Sequence, residues 1–336
     1  MMKQYVILVL CGLLLSCKSD KKEVIKNQST GGVFGTSFSI IYLSKDRLDY
    51  QQQIDSVFKV VNQSLSTYIP DSDISKINLG DSTLQVDHMF KDVFALSREI
   101  YKKTKGYFDP TVGTLVNAWG FGPGEEIAMD SVTVDSLLQY VGFDKVRLIS
   151  NGTISKEDTA IYFDFNAIAK GYAIDRVAVL MDAKGIENYL IEIGGEIVAK
   201  GRNTIKDKPW VVGIDNPEND QQRELKLIIN LKDRALASSG NYRKFRVDEQ
   251  TGEKYVHTID PFTGFTKNSS TLGVTILAND CATADGYATA FMAMDLESAK
   301  ELIEGEPSLD AYIIYADAKG AIQEYMTEGF KEIILK

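Results

Sequence analysis

Asp164-Phe165-Asn166-Ala167-Ile168-Ala169-Lys170-Gly171-Tyr172 is the stretch whose reading sets the fold. Residues 160–165, rich in aromatic and β-branched side chains, predict a strand that delivers Asp164 to a turn. Apolar residues at helical spacing over 167–183 predict a helix, with Gly185 as its stop. A strand feeding straight into a helix leaves first-turn N–H groups unpaired, and Lys170 adds a cation beside them. Together they suit a phosphate. The plainer reading is a helix capped by Asp164 or Asn166, with Lys170 in solvent.

Outward from this junction, residues 31–43 read as an opening strand. Residues 49–65 place Ile54, Val57, Phe58, Val61 and Leu65 on one helical face. Phe90, Val93, Phe94, Leu96, Ile100 and Tyr101 form a second amphipathic helix, stopped near Gly106. A short helix over 134–141 ends at Gly142. The second half is richer in strand: 189–193 and 197–200 flank Gly194-Gly195, and 210–214, 225–231 and 272–277 follow. Helices are expected at 283–294 and 296–303, and strands at 311–315 and 322–325. The fold class is α+β, with mixed sheets and packed helices in a single large domain or two tightly joined lobes.

The 336-residue chain carries 37 basic and 47 acidic side chains, a formal charge of −10. No basic run is long enough for nucleic-acid binding, and the acidic balance means that a polyanionic ligand needs a metal or a local cation. Near the N-terminus, the uncharged run 5–15 follows Lys3 and ends in Leu14-Leu15-Ser16-Cys17. The run is short for a bilayer span and suits a signal-peptide core. A small residue before cysteine at its end is the lipobox pattern. Residues 1–16 therefore read as a lipoprotein signal peptide, residues 17–30 as a lipidated Cys17 with a polar tether, and 31–336 as the folded domain. The remaining cysteines are Cys11, lost with the signal, and Cys281, so no intramolecular disulfide is expected.

Three further segments place polar residues where a plain core would not. In Thr283-Ala284-Asp285-Gly286-Tyr287-Ala288-Thr289, Asp285 and Thr289 are four apart and share a helical face, a pair of hard oxygens able to hold Mg²⁺. A capping Asp and a surface Thr is the alternative. In Val256-His257-Thr258-Ile259-Asp260-Pro261-Phe262-Thr263-Gly264, His257 stands beside a turn and is a candidate general base, or a packed residue next to a structural turn. Gly106-Tyr107-Phe108-Asp109-Pro110-Thr111-Val112-Gly113, followed by Trp119-Gly120-Phe121-Gly122-Pro123, offers aromatics that could stack on a flat ring or fill a core. Ser66-Thr67-Tyr68 adds another aromatic in polar company.

In this order, and together with Phe34-Gly35-Thr36, Ile193-Gly194-Gly195 and Ser238-Ser239-Gly240, these runs resemble the ApbE family over nearly the whole chain from Gly31 onward. The resemblance implies an ApbE-like, T-fold-related architecture and an FAD:protein FMN transferase. It places FAD contacts at Phe34, Tyr68, Tyr107, Phe108, Asp109, Asp164, Lys170 and Ile259, and metal ligands at Ala167 (through its carbonyl), Asp285 and Thr289. Departures from the pattern are Phe34, where many relatives have Met, Asn166, where some have Gly or Ser, and Ala288, where some carry a carboxylate.

The expected reaction joins the FMN half of FAD to a Thr or Ser hydroxyl of an exported or membrane protein and releases AMP. Mg²⁺ is the expected cofactor, with His257 as base and Asp285 able to share that role. Rival expectations are an FAD pyrophosphatase and a non-catalytic FAD-binding lipoprotein. Family acceptors include subunits of membrane redox complexes, and no copy of their acceptor motif is found here. The expected location is the periplasmic face of a bacterial membrane, the inner one favoured, with Cys17 as anchor.

Overall fold

The structure is a computed structural model that describes residues 23–215, 225–240, 245–247, 254–267 and 269–335. The expected signal residues 1–16 and the expected lipidation position Cys17 lie outside the described residues. The first half contains β1 (Ile25–Val33), β2 (Thr36–Ser44), α1 (Gln51–Leu65), α2 (Asp73–Asn78), α3 (His88–Lys103), α4 (Gly113–Ala118), α5 (Ser131–Leu138), β3 (Val146–Leu148) and β4 (Ile154–Lys156). Next come α6 (Ala169–Ala183), β5 (Tyr189–Ile193), β6 (Glu196–Lys200), β7 (Trp210–Asp215), β8 (Leu225–Leu231) and β9 (Arg234–Gly240). The chain continues through β10 (Phe245–Val247), β11 (Lys254–Val256), β12 (Thr271–Ala278), α7 (Cys281–Ala293), α8 (Leu296–Gly305), β13 (Asp310–Ala316), β14 (Ile322–Met326) and α9 (Glu328–Glu332).

Strands from both halves build one eight-stranded sheet in the order β1-β2-β5-β6-β9-β12-β13-β14, antiparallel at every pairing. A single continuous sheet, rather than two lobes, organises the chain. Side-chain alternation divides its faces. On β9, Ala235 and Ala237 turn toward the helices, while Leu236 joins Trp210, Ile229, Leu231, Leu277, Tyr312 and Phe330 under the β7–β8 hairpin and α9. On the helical side, Ile54 and Phe58 of α1 and Ile174, Val177 and Met181 of α6 pack on Phe38, Ile40 and Ile191 of the sheet. A second group gathers Phe90, Val93 and Phe94 of α3, Phe291 of α7, and Val274 and Ile276 of β12.

Two expectations are corrected. The opening strand is a hairpin whose turn, Phe34-Gly35, has both residues at positive φ (+51° and +72°). This handedness matches the twist of paired strands, but Phe carries no turn signal in sequence. Its first arm starts at Ile25, so residues 25–30 of the expected tether belong to the sheet. The arm looks polar because its inward positions are hydrogen-bonded: the Asn27 side-chain amide donates to Ser44 Oγ (2.9 Å), and its Oδ1 accepts from Leu48 N–H (2.9 Å). The strand expected at 160–165 makes a single parallel bridge, Val112 with Tyr162. Asn78 replaces a ladder partner there, accepting from Phe163 N–H (2.7 Å) and donating to its carbonyl (2.9 Å).

Helix α7 is buried on almost all sides and is lined with small residues, including Ala282, Ala284, Gly286, Ala288 and Ala290. A Cβ at Gly171 of α6 would lie 2.4 Å from the Cys281 carbonyl oxygen and 2.9 Å from Ala282 Cα. Backbone atoms cannot swing aside as a flexible side chain can. Gly171→Ala is therefore expected to lower unfolding stability by about 1–3 kcal/mol. Gly305→Ala, whose Cβ meets open space, should stay within about 0.5 kcal/mol. Urea denaturation of both variants checks this, and equal stabilities would contradict the close approach.

Candidate functional site

The turn at 166–168 and the first residues of α6 face α7. Ala169 N–H donates to the Phe165 carbonyl (2.7 Å), and Gly171 N–H donates to Asp285 Oδ2 (3.0 Å). Asp285 is 7% exposed, and Thr289 stands one turn further along the same helix, half-buried. Burial pushes the Asp285 carboxyl well above the usual carboxylate range; Glu196 adds to the rise, while Lys170 opposes it. Lys170 Nζ lies 2.6 Å from Glu196 Oε2. Burial works against the Lys170 charge, but the Glu196 and Asp285 carboxylates outweigh it and hold the ammonium above its ordinary value.

Sequence alone suggested free amides and a free lysine at the mouth of α6. In the structure a carboxylate already receives the Gly171 amide, and another already holds the lysine. Glu196 is the residue that sequence reasoning missed. It follows the Gly194-Gly195 turn on β6, where Val198 packs with the helical side and Ile197 and Ala199 with the hairpin side. A charged residue sharing the parity of Val198, directly after a glycine turn, was the available signal. Asp175, also unassigned from sequence, accepts from Cys281 N–H and Ala282 N–H at the start of α7 (both 2.8 Å), and burial pushes it up to about 7.

The remaining predicted residues lie on several separate turns and loops. Gly194 packs against Thr36: a Cβ there would lie 2.8 Å from Thr36 Cγ2, so the Phe34-Gly35 turn sits beside the turn that carries Glu196. The Phe34 ring meets Phe58 edge-on at 5.7 Å. A non-glycine residue at positive φ at this turn is a strained position. Asp164 accepts from Asn166 N–H (2.6 Å), and its own N–H donates to the Pro110 carbonyl (2.8 Å), tying the 106–113 loop to the mouth of α6. Tyr68 is 57% exposed; partial burial, Asp164 and Tyr162 raise its hydroxyl pKa, which places its phenol near Asp164.

Three of the predicted donor contacts have inward side chains. Phe108 is core. Asp109 accepts from Thr111 N–H and Oγ1–H and from Phe143 N–H, and burial pushes it up to about 6. Ile259 packs with Leu115, Trp119, Val134 and Val141 in a separate cluster. Tyr107 is half-buried and meets the Phe262 ring edge-on at 4.9 Å; Phe262 is 53% exposed. Trp119 Nε1–H donates to the Gly264 carbonyl (2.9 Å), and Asp260 accepts from Phe262 N–H and from Lys267. His257, half-buried, stands at the end of β11 at the base of this turn.

Among the described residues, no group of three or more His, Cys, Asp and Glu side chains is placed to hold a metal ion. The oxygens expected to bind a metal are of another kind: the Asp285 carboxylate and the Thr289 hydroxyl on α7, and the carbonyl of Ala167 in the turn before α6. These are hard oxygens beside an excess of buried carboxylate, and they fit a hard divalent cation such as Mg²⁺.

Comparisons with known proteins identify the family. A family model described as ApbE family matches residues 34–313. A Vibrio cholerae protein named FAD:protein FMN transferase is 36% identical, covering 96% of this chain and 96% of its own length. A Haemophilus influenzae protein of the same name is 32% identical, covering 97% of this chain and 96% of its own. Among solved structures, flavin transferase ApbE from Vibrio cholerae superposes with a TM-score of 0.83 at 33% identity, over 93% of this chain and all (100%) of that one. The apo form of the Pseudomonas stutzeri flavinyl transferase ApbE gives 0.80 at 28% identity, over 92% and 97%. With a family match across most of its length, close relatives along nearly all of it and the same fold, the chain belongs to the ApbE family.

Proposed function

We propose that this protein is an FAD:protein FMN transferase that uses Mg²⁺ and is anchored to a membrane by lipid at Cys17. Its membership of the ApbE family supports the activity, and one observation supports the place: Asp285 and Lys170 converge on the first turn of α6. Asp285, Thr289 and the Ala167 carbonyl would hold the metal, which supplies Lewis-acid neutralisation of pyrophosphate charge when bound. Lys170 stabilises negative charge on the phosphoryl oxygens. Tyr68, Tyr107 and Phe34 would position the flavin.

In the reaction, the acceptor Thr or Ser oxygen forms a bond to the FMN-side phosphorus. The bond from that phosphorus to the bridging oxygen breaks, and AMP leaves with the electron pair. His257 takes the hydroxyl proton. The acceptor is an exported or membrane protein, such as a subunit of a membrane redox complex. The protein would work at the periplasmic face of the membrane. Among the described residues no helix is long and apolar enough to cross a membrane; the proposed attachment is the lipid on Cys17.

Asp285→Ala should cut flavin transfer, read as in-gel fluorescence of the acceptor, by at least about a hundredfold, with the fold retained by circular dichroism. Full activity would remove the metal assignment. His257→Ala should slow turnover by about 10²–10⁴-fold while FAD affinity stays within a few-fold, and unchanged turnover would remove His257 from the chemistry. Product analysis separates the rivals: AMP with modified acceptor is transfer, AMP with free FMN is hydrolysis, and intact FAD is binding alone. Cys17→Ser should move the protein from the membrane to the soluble fraction; persistence in the membrane fraction would refute the anchor.

A further inference from the structure

Glu196 has no part in the reaction described so far, yet it is the most deeply buried charged residue at the site, 4% exposed, and it holds the site's lysine at 2.6 Å. Burying a carboxylate at the place where a pyrophosphate must bind is costly and works against anion binding. A packing role alone would be served by an apolar residue.

The arrangement of charge suggests a purpose. Lys170 is balanced by Glu196. The nearest amide of α6, on Gly171, is committed to Asp285. Asp175, one turn beyond on α6, contributes further negative potential at Asp285 while its oxygens receive the two α7 amides. Lys170, Glu196 and Asp285 together therefore carry no net positive charge, whether or not Asp285 holds a proton. A pyrophosphate approaching this group finds its one cation already paired. A divalent cation on Asp285 reverses the sign of the local field and completes the attraction.

We propose that Glu196 is a positioning residue that makes donor binding conditional on the metal. It fixes Lys170 at the mouth of α6 and cancels its charge, so the pyrophosphate of FAD binds tightly only when the divalent ion is in place. The device prevents unproductive occupation by FAD, or by other nucleotides with a diphosphate, in the metal-free protein. It rests on the reading of this site as the one that takes the FAD pyrophosphate.

The test is calorimetric titration of FAD into the whole protein, without acceptor, in EDTA and in Mg²⁺. Wild type should bind weakly in EDTA and much more tightly in Mg²⁺. Glu196→Gln keeps the shape and a hydrogen-bonding oxygen for Lys170 but loses the charge. It should tighten binding in EDTA by about tenfold and so narrow the metal dependence. Glu196→Asp, which keeps the charge, should retain a wild-type metal dependence, an outcome that a merely structural role would not give. Thermal unfolding of each variant establishes that it is folded. An unchanged ratio of affinities in Glu196→Gln, or weaker binding in EDTA, would overturn the proposal. Failure of wild type to bind FAD even in Mg²⁺ would instead overturn the functional reading of the site, and this inference with it.

Discussion

Gly171 lies against the Cys281 carbonyl at a spacing that admits no side chain. Because α6 and α7 meet backbone to backbone there, the Asp285 carboxylate reaches the Gly171 amide at 3.0 Å. The contact depends on more than one glycine. Helix α7 can sink onto the sheet because Ala235 and Ala237 of β9 face it and because its own surface is small residues. Asp175 adds a second tie from α6 to the first amides of α7. A buried carboxylate, a lysine and a helix start are thus held in register by packing around them, which is the usual way a rigid site is built.

The second constraint is electrostatic. Burial raises the free energy of each carboxylate, and no single lysine offsets Asp285, Glu196 and Asp175 together. A site with this imbalance is suited to a hard cation and unsuited to a bare anion. That property ties the hard-oxygen set at α6–α7 to the polyanionic donor expected of an ApbE-family protein. The aromatic positions are arranged around it by loops with their own fastenings: Asp109 to Phe143, Trp119 to Gly264, and Asp164 to Pro110. These bonds explain why inward residues recur in the motif runs beside outward ones: the inward ones fasten the loops.

Legibility in the sequence varied with the kind of signal. The long helices were plain, because Ile54, Phe58, Val61 and Leu65 of α1 and Phe90, Val93, Phe94 and Ile100 of α3 repeat at the helical period and are buried as that period requires. The β1 arm was not, because its buried Asn27 and Ser29 are polar, and Asn27 is satisfied by specific bonds that composition cannot show. The stretch before Asp164 looked like a strand because its side chains are right for one. Its backbone at Phe163 is instead satisfied by the side chain of Asn78, 85 positions earlier.

What the sequence determined by itself was the α+β class, the positions of α1, α3, α6, α7 and α8, and the runs at Asp164–Lys170 and Asp285–Thr289 that mark the family. Those are local patterns, and local periodicity and motif order carry them. What only the tertiary structure decided was the placement of charge in the site. Glu196, Lys170 and Asp285 come from β6, α6 and α7 and meet through sheet order and helix packing. Electrostatic energy depends on distance and burial, and neither is written in the spacing of residues along the chain.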